Sequence, residues 1–304
     1  MNAPKSGSSR TPLVLSYKGL SPDNELMDWV RSGLVSGIVL FRDNCTDETA
    51  LRAAIDTLRQ ESPHDLYIMI DEEGGRVRRL PDAPTSMADL RAYEGRPVIE
   101  VADAYAKVAI RLKSLGIDTL LAPVVDIGND GAEWLNSRTI SHTPVRVAEM
   151  AEVVIPAIQT EGIHACAKHF PGTGRVTLDP HHGPVRSSID MDEWETHERI
   201  PFDAALAAHV DMVLVGHQIL EALGESLPAC LTPTVPTLAL RRYLRYPGLI
   251  LTDDLGMGAI SSMFPIEEAL ERAVEAGCDL VLICNDHDAQ RRAVTHWATR
   301  TARA

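Results

Sequence analysis

No CxxC pair occurs in this chain, no GxGxxG fingerprint follows its first apolar run, and no HExxH motif is present. Each absence removes a class of function. Without paired cysteines there is no redox dithiol, zinc ribbon or disulfide framework, so Cys45, Cys166, Cys230, Cys278 and Cys284 read as reduced thiols in apolar surroundings of a cytoplasmic protein. Without the glycine fingerprint, a doubly wound dinucleotide-binding sheet loses its main support. Basic residues are also scarce: 29 Lys and Arg stand against 43 Asp and Glu, giving a net charge of −14 and a pI near 5.2. Nucleic-acid binding needs clustered cations to neutralise phosphates, and is not expected here. No apolar run approaches the roughly 20 residues needed to span a bilayer. The first residues, Met1 to Arg10, lack the apolar core of a signal peptide and open an expected disordered tail over residues 1–12.

What is present is a regular succession of short apolar runs. They are Leu13–Tyr17, Gly37–Phe41, Tyr67–Asp71, Thr119–Pro123, His164–Lys168, Met212–Val215, Leu249–Thr252 and Leu280–Ile283. The runs are continuous rather than alternating, which is the pattern of parallel strands covered on both faces. Amphipathic stretches separate most of them: Glu48–Gln60, Val98–Leu115, Pro144–Gln159 and Pro201–Ala208 carry apolar residues at helical spacing. Eight strands alternating with helices predict a single-domain (β/α)8 barrel over residues 13–304, with an open doubly wound sheet as the alternative. Neither internal repeats nor low-complexity blocks interrupt it.

The strand ends carry the chemistry. Strand three runs into Asp71, strand four into Asp126, strand five into Lys168-His169, strand six into His217 and strand seven into Asp253-Asp254. In a barrel these ends meet at one rim, so residues distant in sequence converge in space. Asp253 and Asp254 can each serve as nucleophile or metal ligand, while one of them can also cap the next helix. Asp179 and His181, two apart, can pair so that the carboxylate fixes the imidazole tautomer, although Asp-Pro also opens turns. Arg138 and Lys168 can hold sugar hydroxyls or a carboxylate. Eleven histidines invite a metal site, but none has credible ligand spacing, and no metal or other cofactor is expected.

Four segments resemble the bacterial β-N-acetylglucosaminidase (NagZ-type) branch of glycoside hydrolase family 3. They are Asp71-Glu72-Glu73-Gly74-Gly75-Arg76-Val77, Ala122-Pro123-Val124-Val125-Asp126, Lys168-His169-Phe170-Pro171-Gly172-Thr173-Gly174 and Thr252-Asp253-Asp254-Leu255-Gly256-Met257. Ala276 to Asn285 resembles the family's last strand. The resemblance implies a barrel hydrolase releasing terminal β-linked N-acetylglucosamine by a retaining mechanism. It places Asp253 on the nucleophile, His181 on the general acid/base and Asp179 on its dyad partner. It places Asp71, Arg138, Lys168 and His169 around the sugar, with His217 nearby. Two positions depart from the family pattern: Thr173 stands where His is common, and Pro180 where Ser is common. His182 offers a second imidazole beside the first. The implied partner is a small-molecule glycoside, with no nucleic acid and no membrane, acting on a monomer or weak homodimer. Phosphorolysis on the same site and a non-catalytic sugar-binding barrel are the alternatives.

Overall fold

A computed structural model describes residues 11–81, 87–173 and 175–302. Among the described residues, eight parallel strands form one sheet: β1 (Leu13–Leu15), β2 (Gly37–Leu40), β3 (Tyr67–Ile70), β4 (Thr119–Leu120), β5 (His164–Phe170), β6 (Met212–Val215), β7 (Leu249–Thr252) and β8 (Val281–Leu282). β1 pairs with both β2 and β8, and the ring closes from β7 to β8 through Thr252 N–H to Leu280 O at 3.0 Å and Leu280 N–H to Ile250 O at 3.2 Å. The expected (β/α)8 barrel is therefore the observed architecture.

The continuous apolar runs are explained by two separate packed layers. Val14, Val39, Met69, Leu121, Cys166, Leu214, Leu251 and Leu282 fill the barrel interior. Their neighbours Leu13, Leu15, Ile38, Ile68, Ala165, Val213 and Ile250 pack outward against the helices. Successive side chains point to opposite faces, and here both faces are buried.

Each strand is followed by a helix: α1 (Asn24–Arg31), α2 (Glu48–Glu61), α3 (Val98–Ser114), α4 (Pro144–Thr160), α5 (Arg199–Ala207), α6 (Thr234–Tyr243), α7 (Ile266–Ala276) and α8 (His287–Thr301). In α2, Asp47 caps the amides of Thr49 and Ala50, and Leu51, Ala54, Ile55 and Leu58 form the buried stripe that the spacing predicts. Proline starts α4 at its first turn, where a missing N–H costs nothing. α6 is wound as a π-helix. None of the described helices is long and apolar enough to cross a membrane.

Two sequence expectations shift. Residues 1–10 of the expected tail, and Gly174 of the glycine-rich motif, lie outside the described residues. Thr11 and Pro12 are buried, and Pro12 O accepts from Val281 N–H at 2.7 Å, so both belong to the barrel wall. The fifth strand also runs past Lys168 to Phe170, with a bulge that pairs Lys168 with Leu214 and Phe170 with Val215. His169 is the extra residue. The bulge lets two consecutive side chains, Lys168 and His169, face the same pocket, which a regular strand forbids.

Candidate active site

The rim above the strand ends holds a cavity of about 310 Å3. Its floor is a buried charge cluster centred on Glu73. Arg138 donates to Glu73 twice, from Nε at 2.8 Å and Nη2 at 2.9 Å, and Lys168 Nζ sits 2.6 Å from Glu73 Oε1 and 2.7 Å from Asp71 Oδ1. Burial pushes the Glu73 carboxyl up, but the Arg138 and Lys168 charges outweigh it and hold the group well below the usual carboxylate range. Lys168 shows the mirror image: burial lowers it, yet Asp71 and Glu73 carry it up to about 12. Glu73, Arg138 and Lys168 thus remain charged in a site almost closed to water.

His169 is fixed by its neighbours. Arg138 Nη2 lies 3.3 Å from His169 Nε2 and can only donate, so that nitrogen accepts and the proton sits on Nδ1, which donates to Asp126 Oδ2 at 2.6 Å. Asp126 also receives the main-chain N–H of His169 at 3.2 Å and of Thr173 at 2.8 Å. One carboxylate therefore anchors both the bulge and the start of the loop that follows.

The adjacent carboxyls after β7 divide their tasks. Asp253 extends the sheet through its N–H to Val215 O at 3.0 Å and presents its carboxyl to the cavity. Burial raises that carboxyl, while His217, His169 and Lys168 together hold it below its ordinary value, so it is ionised at neutral pH. Asp254 Oδ1 instead accepts from the amides of Gly256 and Cys284, both at 2.9 Å. Burial lifts Asp254 to about 7 in spite of those bonds, with the Asp253 charge adding to the rise. Neither Asp caps the next helix as anticipated: that turn, Gly258–Ser261, starts from Met257 with no side-chain cap, and Asp254 instead ties the Gly256 turn to the backbone after β8. His217 donates from Nε2 to Asp254 O at 2.9 Å and turns Nδ1 toward Cys230 Sγ at 3.2 Å; burial lowers the ring's affinity for a proton, and the Asp253 charge opposes that.

At the mouth of the cavity lies the segment after β5. Its stem is clamped: Trp194 Nε1 donates to Pro171 O at 2.9 Å, and Gln218 Nε2 to Gly172 O at 3.0 Å. Further out, Asp179 Oδ1 accepts from His181 Nδ1 at 2.7 Å and from His181 N–H at 3.0 Å. Partial burial raises Asp179, but the two bonds from His181 prevail and lower it. The His181 side chain is 62% exposed and lines the cavity; its neighbour His182 is exposed and does not. Asp71, Arg138, Lys168, His169, His217, Asp253, Asp179 and His181 all line the one cavity.

Three contributors escaped the sequence reading of site residues. Glu73, the hub of the cluster, was one of several acids after β3, and Asp126 was noted only as a strand end. Arg79 lines the cavity, lies 3.4 Å from Asp71 and rests over the Phe41 ring at 5.5 Å. It sits in an irregular loop, where no periodicity marks which side chain turns inward.

Beneath the stem, Glu198 is 3% exposed and its Oε2 has no hydrogen-bond partner. Burial raises it to about 7, helped by Asp126 and opposed by Arg175. A carboxyl raised in the folded state adds stability that is full below its unfolded value near 4.5 and is lost as pH rises through about 7. Glu198→Gln is therefore expected to flatten the pH dependence of unfolding, removing a fall of roughly 3 kcal/mol at most between pH 4.5 and 8. Denaturant titrations across that range check this; parallel curves for both proteins would refute it.

Residues 11–299 match the glycosyl hydrolase family 3 N-terminal domain. A β-hexosaminidase of Stenotrophomonas maltophilia is 30% identical over 283 residues, covering 90% of this chain and 83% of its own. A β-hexosaminidase of Xylella fastidiosa is 29% identical with the same coverage. Among solved structures, a family 3 β-N-acetylglucosaminidase from Paenibacillus superposes with a TM-score of 0.91 at 29% identity over 95% of this chain, which spans 56% of that longer one. NagZ from Neisseria gonorrhoeae, in complex with N-trifluoroacetyl-D-glucosamine, gives 0.86 at 25% identity, covering 94% and 85% of the two chains. With the family match running nearly end to end over a complete barrel, this chain belongs to glycosyl hydrolase family 3 and is a glycoside hydrolase.

Proposed function

We propose that this glycoside hydrolase removes terminal β-linked N-acetylglucosamine by a retaining, two-step route. The observation that carries the reading is one cavity holding an ionised carboxylate, Asp253, on its floor and a His181–Asp179 dyad at its mouth. Asp253 attacks the anomeric carbon, the glycosidic C–O bond breaks, and the leaving oxygen takes a proton from the His181 imidazolium. The neutral imidazole then removes a proton from water, whose oxygen attacks the same carbon and frees Asp253. Asp179 holds Nδ1–H, leaving Nε2 to carry the transferred proton. Asp71, Arg138, Lys168 and His169 hold the sugar, with His217 behind the nucleophile. A complex of the Neisseria neighbour with an N-acylated glucosamine supports the choice of sugar. The proposed natural substrate is a cell-wall muropeptide fragment in the cytoplasm, and five buried, free cysteines accord with a reducing compartment.

The test is p-nitrophenol release from β-N-acetylglucosaminide and β-glucoside substrates, each with and without phosphate. The acetamido substrate is expected to be favoured tenfold or more, about 1.4 kcal/mol of transition-state binding, and to yield free N-acetylglucosamine. Equal or faster turnover of the plain glucoside sinks the sugar assignment. A sugar 1-phosphate as the main product replaces hydrolysis with phosphorolysis.

A further inference from the structure

We infer that Gly258 is a positioning residue that seats the loop carrying His181; this rests on the acid/base reading of His181. Gly258 lies in the connection after β7, shortly beyond Asp253, and begins a short helical turn, Gly258–Ser261. Its N–H donates to His181 O at 3.2 Å, and the next amide, Ala259 N–H, donates to Pro180 O at 3.0 Å. The segment that presents the proposed nucleophile therefore also holds the backbone of the proposed acid/base.

Glycine at the start of a helical turn is a poor choice on propensity, costing roughly 0.5–1 kcal/mol against alanine. Its φ is not left-handed, so conformation gives no reason for it. Space does. A Cβ at position 258 would lie 2.7 Å from His181 O, 2.9 Å from His182 C and 3.0 Å from Gly183 N. All three are main-chain atoms, so no side chain can swing aside, and the loop itself must move. A displacement of this size at the proton donor is enough to spoil proton transfer, which needs heavy atoms within about 3 Å of each other. The sugar-holding cluster below, built on β3, β5 and Arg138, is untouched.

Gly258→Ala is expected to reproduce a weakened His181 defect. On a glycoside with a sugar aglycone kcat falls tenfold or more; on the 2,4-dinitrophenyl glycoside, whose leaving group needs no proton, formation of the glycosyl-enzyme stays within about twofold and its hydrolysis slows, giving a burst. Added azide, which attacks the intermediate without general-base help, restores turnover. The inhibition constant for N-acetylglucosamine is unchanged. Gly183→Ala is the control: a Cβ there meets nothing within 4 Å, and wild-type rates are expected. Amide exchange of the wild-type protein supplies a check that needs no variant, since the Gly258 and Ala259 amides should exchange at least about tenfold more slowly than free peptide. Equal loss on all leaving groups, no loss at all, or unprotected amides at both positions overturns the seating role. His181→Ala, measured alongside, separates the two ideas. If it shows no dependence on the leaving group, the acid/base reading fails; if it does and Gly258→Ala does not, only the seating role fails.

Discussion

Asp253→Ala is expected to lower kcat by about four orders of magnitude or more on every substrate, however good its leaving group. The carboxylate is the only side chain in the proposed route that forms a bond to carbon, so no leaving group compensates for its loss. A 5-fluoro-sugar should label Asp253 in the wild-type protein and nothing in the variant, and mass spectrometry of the labelled peptide reads this directly. An adduct on Asp254 would overturn the assignment. Both carboxyls line the cavity, and charge argues against that outcome: Asp254 Oδ1 is engaged by two main-chain amides and the group is raised to about 7, whereas Asp253 accepts one, from Asp254 N–H at 2.8 Å, and is held below its ordinary value by His217, His169 and Lys168.

His181→Ala should fail differently. Its kcat is expected to fall by about 10²–10⁴ with a sugar aglycone, the range for removing a general acid. The dinitrophenyl glycoside should still glycosylate Asp253 quickly, and the glycosyl-enzyme should hydrolyse slowly, so rapid mixing shows a burst of one equivalent of dinitrophenol. Asp179→Asn should give a milder version, because the amide oxygen can still accept at Nδ1, now 2.7 Å from the carboxylate, but the charge that favours the imidazolium and fixes its tautomer is gone. His182→Ala should remain close to wild type, since that residue is exposed and does not line the cavity. A burst from His182→Ala, with His181→Ala unaffected, would transfer the acid/base role one residue along the chain.

The barrel was legible because its strands are buried on both faces: Val14, Val39 and Met69 inward, Leu13, Ile38 and Ile68 outward, leave no polar position to blur the runs. Helix α2 was legible for the complementary reason, a clean apolar stripe behind an Asp cap. α5 begins at Arg199, before the Pro201 taken as its start, because the chain is already helical from Met191 through the π-wound stretch Trp194–Glu198 and proline marks no boundary there. The site was legible only as separate strand ends. What joined them was three-dimensional: the bulge at His169, which a motif cannot display, and the bidentate Arg138–Glu73 pair, spanning two connections far apart in the chain. The pairing of Asp179 with His181 was proposed from spacing and meets in the structure at hydrogen-bond distance; why those two rather than His182 depends on which ring lines the cavity.

The cavity has two walls of unlike make-up, and this bears on how an inhibitor should be shaped. A compound confined to the inner wall meets Lys168, Glu73 and Arg138, an interlocked set of buried charges already satisfied by one another. The outer wall is the segment beyond Gly172, where Val176, Asp179 and His181 line the opening and where Thr173 and Pro180 depart from the residues common in the family. On the proposed reading, affinity is to be sought inward and selectivity outward: a glucosamine-like head would supply the first, and a substituent growing from its anomeric position toward Val176 and Met257 would supply the second.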